Sequence, residues 1–138
     1  MQIRSAETAG FCFGVERAVS LAEQTAKSCA SAVTLGPIIH NRHVVERFEA
    51  MGLREIARAE DAQPGQTVVI RAHGIPVSEQ QTLAARGAKL VDATCPFVKK
   101  IHVIARQAEE AGRHLLIIGT PTHPEVTAIA SYSSDAHV

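Results

Sequence analysis

Charge imbalance, aromatic clusters and long apolar runs are all missing from this sequence. The 138 residues carry 14 acidic and 14 basic side chains, and only 4% of the residues are aromatic. A balanced charge with no basic run and no aromatic stacking platform argues against a nucleic-acid partner. No apolar stretch approaches the roughly 20 residues that a membrane-spanning helix needs, and the N-terminus lacks the apolar segment of a signal peptide. We therefore expect a cytoplasmic protein with no membrane partner.

Cysteine is scarce in this sequence and odd in number, and a phosphate-binding glycine loop of the Walker type is absent. Three cysteines in a reducing compartment favour metal binding or catalysis over disulfide bonds. The missing glycine loop argues against a nucleotide ligand. Cys29 lies on the apolar stripe of a predicted helix, and we interpret it as a core residue. Cys12 and Cys95 are therefore the cysteines that could carry chemistry.

Short apolar runs alternate with amphipathic stretches along the whole chain. Apolar residues recur at spacings of three, four and seven in the amphipathic stretches, which is typical of helices with one buried face. This alternation predicts an α/β fold with a mainly parallel sheet covered by helices. The predicted strands lie near residues 2–7, 32–36, 67–72, 88–93 and 114–119, and the predicted helices near 14–29, 42–51, 76–86, 97–111 and 124–131.

The predicted elements fall into two groups. Residues 1–94 would form a first α/β unit that includes an N-terminal cysteine segment, and residues 95–138 would form an incomplete second unit. A lone strand near 114–119 cannot bury its two faces well in so small a unit. We therefore expect this sequence to be a truncated part of a longer chain.

Three histidines and two cysteines follow predicted strands at equivalent positions. His40, His73 and His123 lie in strand-to-helix turns, and Cys12 and Cys95 come just before helices. In an open α/β fold, ligands bind outside the carboxyl ends of the strands. These five side chains are therefore candidates for a single site. Imidazoles together with helix N-terminal amides suit a phosphate or diphosphate group.

The two cysteines occupy settings that favour a thiolate. Cys95 precedes a proline at the favoured first helical position, and the amides of a helix N-terminus stabilise a thiolate. Cys12 lies between glycines that permit close backbone approach to a bulky group. Alternatively, either cysteine is only a small packing residue. Two thiolates are too few for a closed zinc or iron–sulfur site, whereas three would leave one iron of a cluster open to substrate.

A single acid, Glu125, lies close to the third histidine. It follows His123 across a proline, at the start of a short predicted helix. An acid in that position could simply complement the helix dipole. Beside a metal site, the same carboxyl group is a candidate proton donor.

Five segments together resemble one enzyme family. They are Gly10-Phe11-Cys12 with Gly14-Val15 and Arg17-Ala18, Gly36-Pro37-Ile38-Ile39-His40-Asn41, Ala72-His73-Gly74, Asp92-Ala93-Thr94-Cys95-Pro96, and His123-Pro124-Glu125-Val126. In this order they are similar to the 4-hydroxy-3-methylbut-2-enyl diphosphate reductases of the non-mevalonate isoprenoid pathway. The family's turn before the last histidine is usually glycine-rich, whereas this sequence has Thr120-Pro121-Thr122.

The resemblance implies a fold of three α/β units around a 4Fe-4S cluster that three cysteines hold. Cys12 and Cys95 match two of those cysteines, and the third comes from a later part of the family's chain that this sequence does not include. The resemblance also implies that His40, His73 and His123 hold the substrate diphosphate. Glu125 would head the delivery of the proton with which the allylic hydroxyl leaves as water.

By the same resemblance, the reaction is the reductive dehydroxylation of 4-hydroxy-3-methylbut-2-enyl diphosphate to isopentenyl and dimethylallyl diphosphate. The two electrons would enter singly from ferredoxin or flavodoxin. We expect the 138 residues alone to be inactive, because part of the implied site is missing.

Two other functions are compatible with the same residues. One is a zinc-dependent hydrolase in which Glu125 acts as a base. Zinc sites favour short ligand spacings, and Cys12 and Cys95 are 83 positions apart, which makes this function the weaker hypothesis. The other is a non-catalytic scaffold domain that only binds diphosphate.

Overall fold

Helices and strands alternate through the computed structural model, which describes all 138 residues. The helices are α1 (Phe13–Ser28), α2 (Arg42–Ala50), α3 (Val77–Ala85), α4 (Pro96–Glu110) and α5 (Pro124–Ala130), with a 3-10 turn at Ala59–Asp61. The strands are β1 (Val33–Leu35), β2 (Arg54–Ile56), β3 (Thr67–Ile70), β4 (Lys89–Asp92), β5 (Leu115–Leu116) and β6 (Ala136–His137).

Four strands form one parallel sheet in the order β2-β1-β3-β4. Across this sheet Val33 lies opposite Val68, and Val68 lies opposite Leu90. β5 and β6 form a separate parallel pair. The α/β class with a mainly parallel sheet, expected from the alternation of apolar and amphipathic stretches, is confirmed.

Successive side chains of β3 supply two apolar cores, one on each face of the main sheet. Val69 packs with residues of α1 and α2 in one core. Val68 and Ile70 pack with Leu83 of α3 in the other. The alternation follows from the two-residue period of a strand. Because helices cover both faces of the sheet, ligands reach it at the edge where the strands end.

The first predicted strand is wrong. Residues 1–12 form no strand, and every one of them is exposed, including Ile3. A strand buried in a parallel sheet needs a nearly continuous apolar run. The segment near 2–7 instead mixes Ile3 with Arg4, Ser5 and Glu7, so its burial would leave polar side chains unsatisfied.

The other discrepancies concern short strands. β2 and β6 were not expected, and the strand expected near 114–119 shrinks to Leu115–Leu116. Ile118, expected to be buried in that strand, is 97% exposed. The proposed division into units 1–94 and 95–138 stays a prediction, although the main sheet ends at Asp92 and the β5–β6 pair lies beyond it.

None of the helices is both long enough and apolar enough to cross a membrane.

Candidate active site

Three histidines that are far apart in the sequence meet at the carboxyl edge of the strands. The ring centroids lie 4.9 Å apart for His40 and His73, 5.6 Å for His73 and His123, and 6.4 Å for His40 and His123. His73 is half-buried, whereas the other two rings are exposed. The structure therefore forms one cluster from the turns that follow β1, β3 and β5.

Backbone hydrogen bonds continue beyond the strands and hold two of these turns beside the Cys95 turn. The amide of Ala72 donates to the carbonyl of Ile38 at 3.2 Å. The amide of Cys95 donates to the carbonyl of Ala72 at 2.9 Å. Ala72 immediately precedes His73, and Ile38 lies two residues before His40. Peptide groups therefore hold together the backbone segments that lead into these turns.

His123 caps helix α5 with its own ring. Its Nδ1 accepts a hydrogen bond from the amide of Glu125 at 3.2 Å. An amide can only donate, so Nδ1 must be the unprotonated nitrogen, and in the neutral ring Nε2 carries the hydrogen. The turn reaches this position through a 2.9 Å bond from the amide of His123 to the carbonyl of Thr120. The sequence Thr120-Pro121-Thr122 therefore forms a closed turn in front of the histidine.

Burial and neighbouring rings control the charge of His73. Burial is the main cause that lowers the pKa of His73 to about 4, and His40, His123 and Arg71 lower the pKa further. The ring is therefore neutral at neutral pH. Its Nδ1 is buried and makes no hydrogen bond within the protein. A buried polar atom without a partner costs free energy, which is a feature of a site prepared for a ligand.

The two candidate cysteines lie at the starts of two helices. Cys12 is the N-cap of α1 and Cys95 is the N-cap of α4. A Cβ atom at Gly14 would collide with the Sγ atom of Cys95, so only glycine lets the first turn of α1 approach that thiol. Both cysteines line one cavity of about 170 Å³, together with His73 and Glu125. The structure thus brings the two candidate metal ligands and the candidate proton donor together with one of the three histidines.

Arg17 connects the two cysteine segments. It lies on α1, and its guanidinium donates to the carbonyl oxygens of Thr94 at 3.2 Å and Asp92 at 3.4 Å. Thr94 directly precedes Cys95. Sequence reasoning assigned no role to Arg17, because an arginine on a helix usually points into solvent. Its only signal was its place in the segment that resembles the reductase family.

The remaining cysteine and four other histidines lie outside the cluster. Cys29 ends α1, about 25 Å along the helix from Cys12. It packs against the core and donates its thiol to the hydroxyl of Thr67 at 3.3 Å. His102 is buried and stacks on Tyr132. The others are exposed or partly exposed residues that lie near carboxylates: His43, His114 and His137.

A family model described as "LytB protein" matches residues 3–138. The chain belongs to the LytB family.

Curated LytB relatives carry a functional name. The chain is 47% identical over 140 residues to the 4-hydroxy-3-methylbut-2-enyl diphosphate reductase of Oleidesulfovibrio alaskensis, covering all of this chain and 50% of that protein. It is 44% identical over 128 residues to the enzyme of the same name from Aquifex aeolicus, covering 92% of this chain and 44% of that protein. The chain thus spans about half the length of the curated relatives it matches.

Two solved structures of the same kind of protein share the fold. One is described as (E)-4-hydroxy-3-methyl-but-2-enyl diphosphate reductase, the terminal enzyme of the non-mevalonate pathway. It superposes with a TM-score of 0.79 at 44% identity, over 92% of this chain and 45% of that chain. The other, the E-1-hydroxy-2-methyl-but-2-enyl-4-diphosphate reductase of Plasmodium falciparum, gives a TM-score of 0.88 at 28% identity, over 95% and 42% of the two chains.

The donor set of this LytB chain fits part of an iron–sulfur centre. Soft thiolate ligands select such clusters, and Cys12 and Cys95 open onto the same cavity. The bare backbone of Gly14 leaves room beside Cys95 that a larger residue would fill. Cys29 cannot complete the set, because it lies at the far end of α1. The 138 residues therefore offer two of the three thiolates that the sequence resemblance implies.

Proposed function

We propose that this chain contributes the diphosphate pocket and two cluster ligands to a LytB reductase that acts on 4-hydroxy-3-methylbut-2-enyl diphosphate. The observation that carries the proposal is the convergence of three histidines beside a cavity that also holds Cys12, Cys95 and Glu125. Its products would be isopentenyl and dimethylallyl diphosphate. The electron donor, ferredoxin or flavodoxin, and the cytoplasmic location stay predictions.

In this proposal the histidines bind the diphosphate as hydrogen-bond donors. The Nε2–H of His123 is available, because its Nδ1 already accepts from the amide of Glu125. His73 is neutral before the ligand arrives. A diphosphate beside His73 would favour the protonated form of that ring, because opposite charges attract. The pocket would thus gain positive charge at His73 as the anion binds.

Cys12 and Cys95 would hold two corners of the cluster, and a cysteine outside these 138 residues would supply the third. When bound, the cluster would relay to the substrate, one at a time, the two electrons that ferredoxin or flavodoxin provides for the reductive loss of the hydroxyl group. Both cysteines lie at the N-termini of helices, Cys12 as the N-cap of α1 and Cys95 as the N-cap of α4. Arg17 would keep the two helix starts together through its bonds to the carbonyls before Cys95.

Glu125 would donate the proton with which the hydroxyl group leaves as water. Glu125 lines the same cavity as both cysteines. It is held by the first turn of α5, and His123 caps that helix. The acid and a phosphate ligand are therefore neighbours on one rigid turn, so both would reach one short substrate at the same time.

The zinc-dependent hydrolase is the rival with a specific observation in its favour. Each of the three histidines has a ring nitrogen that lies within 4.8 Å of a ring nitrogen of the other two, as a shared metal ion would require. Zinc needs an unprotonated nitrogen from each neutral ring. His123 has only Nδ1 unprotonated, and the amide of Glu125 already occupies it. The ring is therefore set up as a donor to an anion rather than as a ligand to a cation.

Calorimetric titration of the chain with inorganic pyrophosphate tests the binding part of the proposal. We expect His40→Phe, His73→Phe and His123→Phe each to weaken pyrophosphate binding roughly ten- to a hundredfold, the value of one charge-assisted hydrogen bond. His43→Phe is the matched control, because His43 is exposed on α2 only three residues from His40. Zinc binding that the three substitutions abolish, without any pyrophosphate binding, would favour the hydrolase.

A second measurement separates the reductase from a diphosphate-binding scaffold. Cys12→Ala and Cys95→Ala, placed in the complete protein, should abolish reduction of the allylic diphosphate and leave pyrophosphate binding within about twofold. A complete protein that binds pyrophosphate but turns over no substrate, even with iron, sulfide and a reductant supplied, would reduce the chain to a scaffold.

A further inference from the structure

Two of the three histidine turns are joined by one side chain that the binding and catalytic roles above do not use. Arg71 follows β3 and lies two residues before His73. We propose that Arg71 is a positioning residue that holds the turn of His40 and the turn of His73 together. The inference rests on the proposed diphosphate pocket and deepens it.

The first contact of Arg71 is with the turn that carries His73. Its Nε donates to the carbonyl of Gly74 at 3.2 Å, and the amide of Gly74 donates to the carbonyl of Arg71 at 3.0 Å. Gly74 has a φ of +77° and lies against the ring of His102. A Cβ atom at Gly74 would lie only 2.7 Å from Cε1 of that ring. Gly74, the residue after His73, therefore lies between the side chains of Arg71 and His102.

The second contact of Arg71 is with the turn that carries His40. A Cβ atom at Gly36 would lie 2.6 Å from Nη1 of Arg71, and Gly36 has a φ of +69°. The guanidinium therefore fills the space that the missing side chain of Gly36 leaves. Gly36 is itself anchored to the sheet, because its amide donates to the carbonyl of Ile56 at 3.0 Å. Loss of the guanidinium would leave an empty space beside Gly36, on the approach from β1 to His40.

No carboxylate forms an ion pair with Arg71, although one lies close. Glu79 of α3 is half-buried, and burial raises its pKa while the charge of Arg71 lowers it. One carboxylate oxygen of Glu79 is buried without a hydrogen-bond partner. Arg71 is thus held by a backbone carbonyl and a glycine surface, both of which belong to the histidine turns. This choice of partners is what a role in positioning requires.

Substitutions of Arg71 can separate the effect of its positive charge from the effect of its planar shape. If Arg71 acted only by attracting an anion, lysine would serve as well, because both side chains are positive. A planar guanidinium with donors on two sides can hold two turns at once, whereas the ammonium of lysine is a single point at the end of a flexible chain. Arg71→Lys therefore separates the two roles, and Arg71→Met removes both of them.

The experiment compares Arg71→Lys and Arg71→Met with a control arginine. Arg86 is the matched control, because its Nε also donates to a backbone carbonyl, that of Ala62, at 2.7 Å, away from the histidines. We expect both Arg71 variants to weaken pyrophosphate binding about tenfold or more and Arg86→Met to change it less than about twofold. The nuclear Overhauser effect between the ring protons of His40 and His73 should be lost in both Arg71 variants and retained in Arg86→Met.

Each outcome decides between the two proposals. Arg71→Lys with wild-type affinity and a retained ring contact would overturn the positioning role. A wild-type chain that binds no pyrophosphate would overturn the proposed diphosphate pocket instead. The ring contact would still test Arg71 in that case, because it needs no ligand. If Arg71→Met does not fold, Arg71→Lys still provides the comparison, because it keeps the charge and removes the planar fork of donors.

Discussion

The Nδ1 atom of His123 accepts a hydrogen bond from the amide of Glu125, so one helix turn carries both the proposed phosphate ligand and the proposed acid. The arrangement gives the two residues separate roles. His123 has one nitrogen committed to the helix and one N–H to offer. Glu125 uses only its backbone amide in this bond and lines the cavity that contains Cys12 and Cys95.

On the proposed function, we expect Glu125→Gln in the complete protein to bind the allylic diphosphate nearly normally and to lose most of its turnover. Glutamine keeps the size of the side chain and a hydrogen-bond donor, but it cannot deliver a proton. General acid catalysis is typically worth about 10²- to 10⁴-fold in rate. The measurement is kcat under reducing conditions, with KM and iron content as controls. A kcat close to that of the wild type would leave Glu125 as a charge at the start of a helix.

The pKa of His73 predicts that the folded chain loses stability in mild acid. Above pH 6.5 the ring is neutral in both the folded and the unfolded chain. As the pH falls from 6.5 towards about 4, the unfolded chain binds a proton that the folded chain does not, so the free energy of unfolding decreases. After allowance for the partial exposure of the ring, His73 should account for on the order of 2 kcal/mol of that loss.

Urea denaturation at several pH values checks this prediction. His73→Gln should flatten the decline between pH 6.5 and 4.5, whereas the exposed His43→Gln should leave it unchanged. A residual slope is expected in His73→Gln, because burial also lowers the pKa of His102. An identical pH dependence in the wild type and His73→Gln would contradict the assignment.

Binding of pyrophosphate should take up protons near pH 6. A bound anion favours the protonated imidazole, so the pKa of His73 should rise from about 4 towards or above its ordinary value. Calorimetry in buffers with different ionisation enthalpies measures this uptake directly. His73→Gln should reduce the number of protons taken up. The proton exchanged by pyrophosphate itself, which also titrates at about pH 6, is common to both proteins, so equal proton exchange in the wild type and His73→Gln would show that His73 stays neutral when the anion binds.

Arg17→Met should loosen the geometry of the two cysteines without unfolding the chain. Cadmium, which bridges thiolates, is a suitable probe for two cysteines that line one cavity. We expect the affinity for one cadmium ion per chain to fall about tenfold in Arg17→Met. Lys27→Met is the control on the same helix, because Lys27 is exposed and pairs only with Glu23. Equal losses in the two variants would exclude a positioning role for Arg17.

The 138-residue chain by itself should retain no stable iron–sulfur cluster and show no reductase activity. Cys12 and Cys95 supply two thiolates, and Cys29 lies at the far end of α1. After anaerobic reconstitution and desalting, iron analysis should find far less than one cluster per chain. Stoichiometric iron with broad visible absorbance that survives desalting would contradict this expectation.

The sequence was sufficient to predict the α/β class and the turns in which the three clustered histidines lie. Buried parallel strands are read from apolar runs such as Val68-Val69-Ile70, and the side chains that follow such runs must lie at one edge of the sheet. This rule depends only on the order of strands and turns along the chain, not on the distances between the side chains. It therefore grouped His40, His73 and His123 correctly, although they are separated by tens of residues.

The weak elements and the supporting contacts could not be predicted in the same way. The polar strand Arg54–Ile56 forms because β1 offers an open edge, not because its own side chains are buried. The bonds from Arg17 to Thr94 and from Arg71 to Gly74 join an arginine side chain to a carbonyl oxygen. Every residue has a backbone carbonyl, so the amino-acid sequence does not indicate which carbonyl an arginine will bind.

The two backbone hydrogen bonds of Ala72 bear on the length of substrate that the proposed site would accept. Its amide is bonded to Ile38 on the histidine side, and its carbonyl is bonded to Cys95 on the cysteine side. One peptide segment therefore links the segment before His40 to Cys95, and neighbouring strands of a sheet lie about 4.8 Å apart. In the proposed reductase, a substrate would have to match the resulting span to place its phosphates and its leaving group at the same time. Homologues one carbon shorter or longer should then bind through the phosphate end and fail to react, so the length of the carbon chain would be selected by the backbone of the protein.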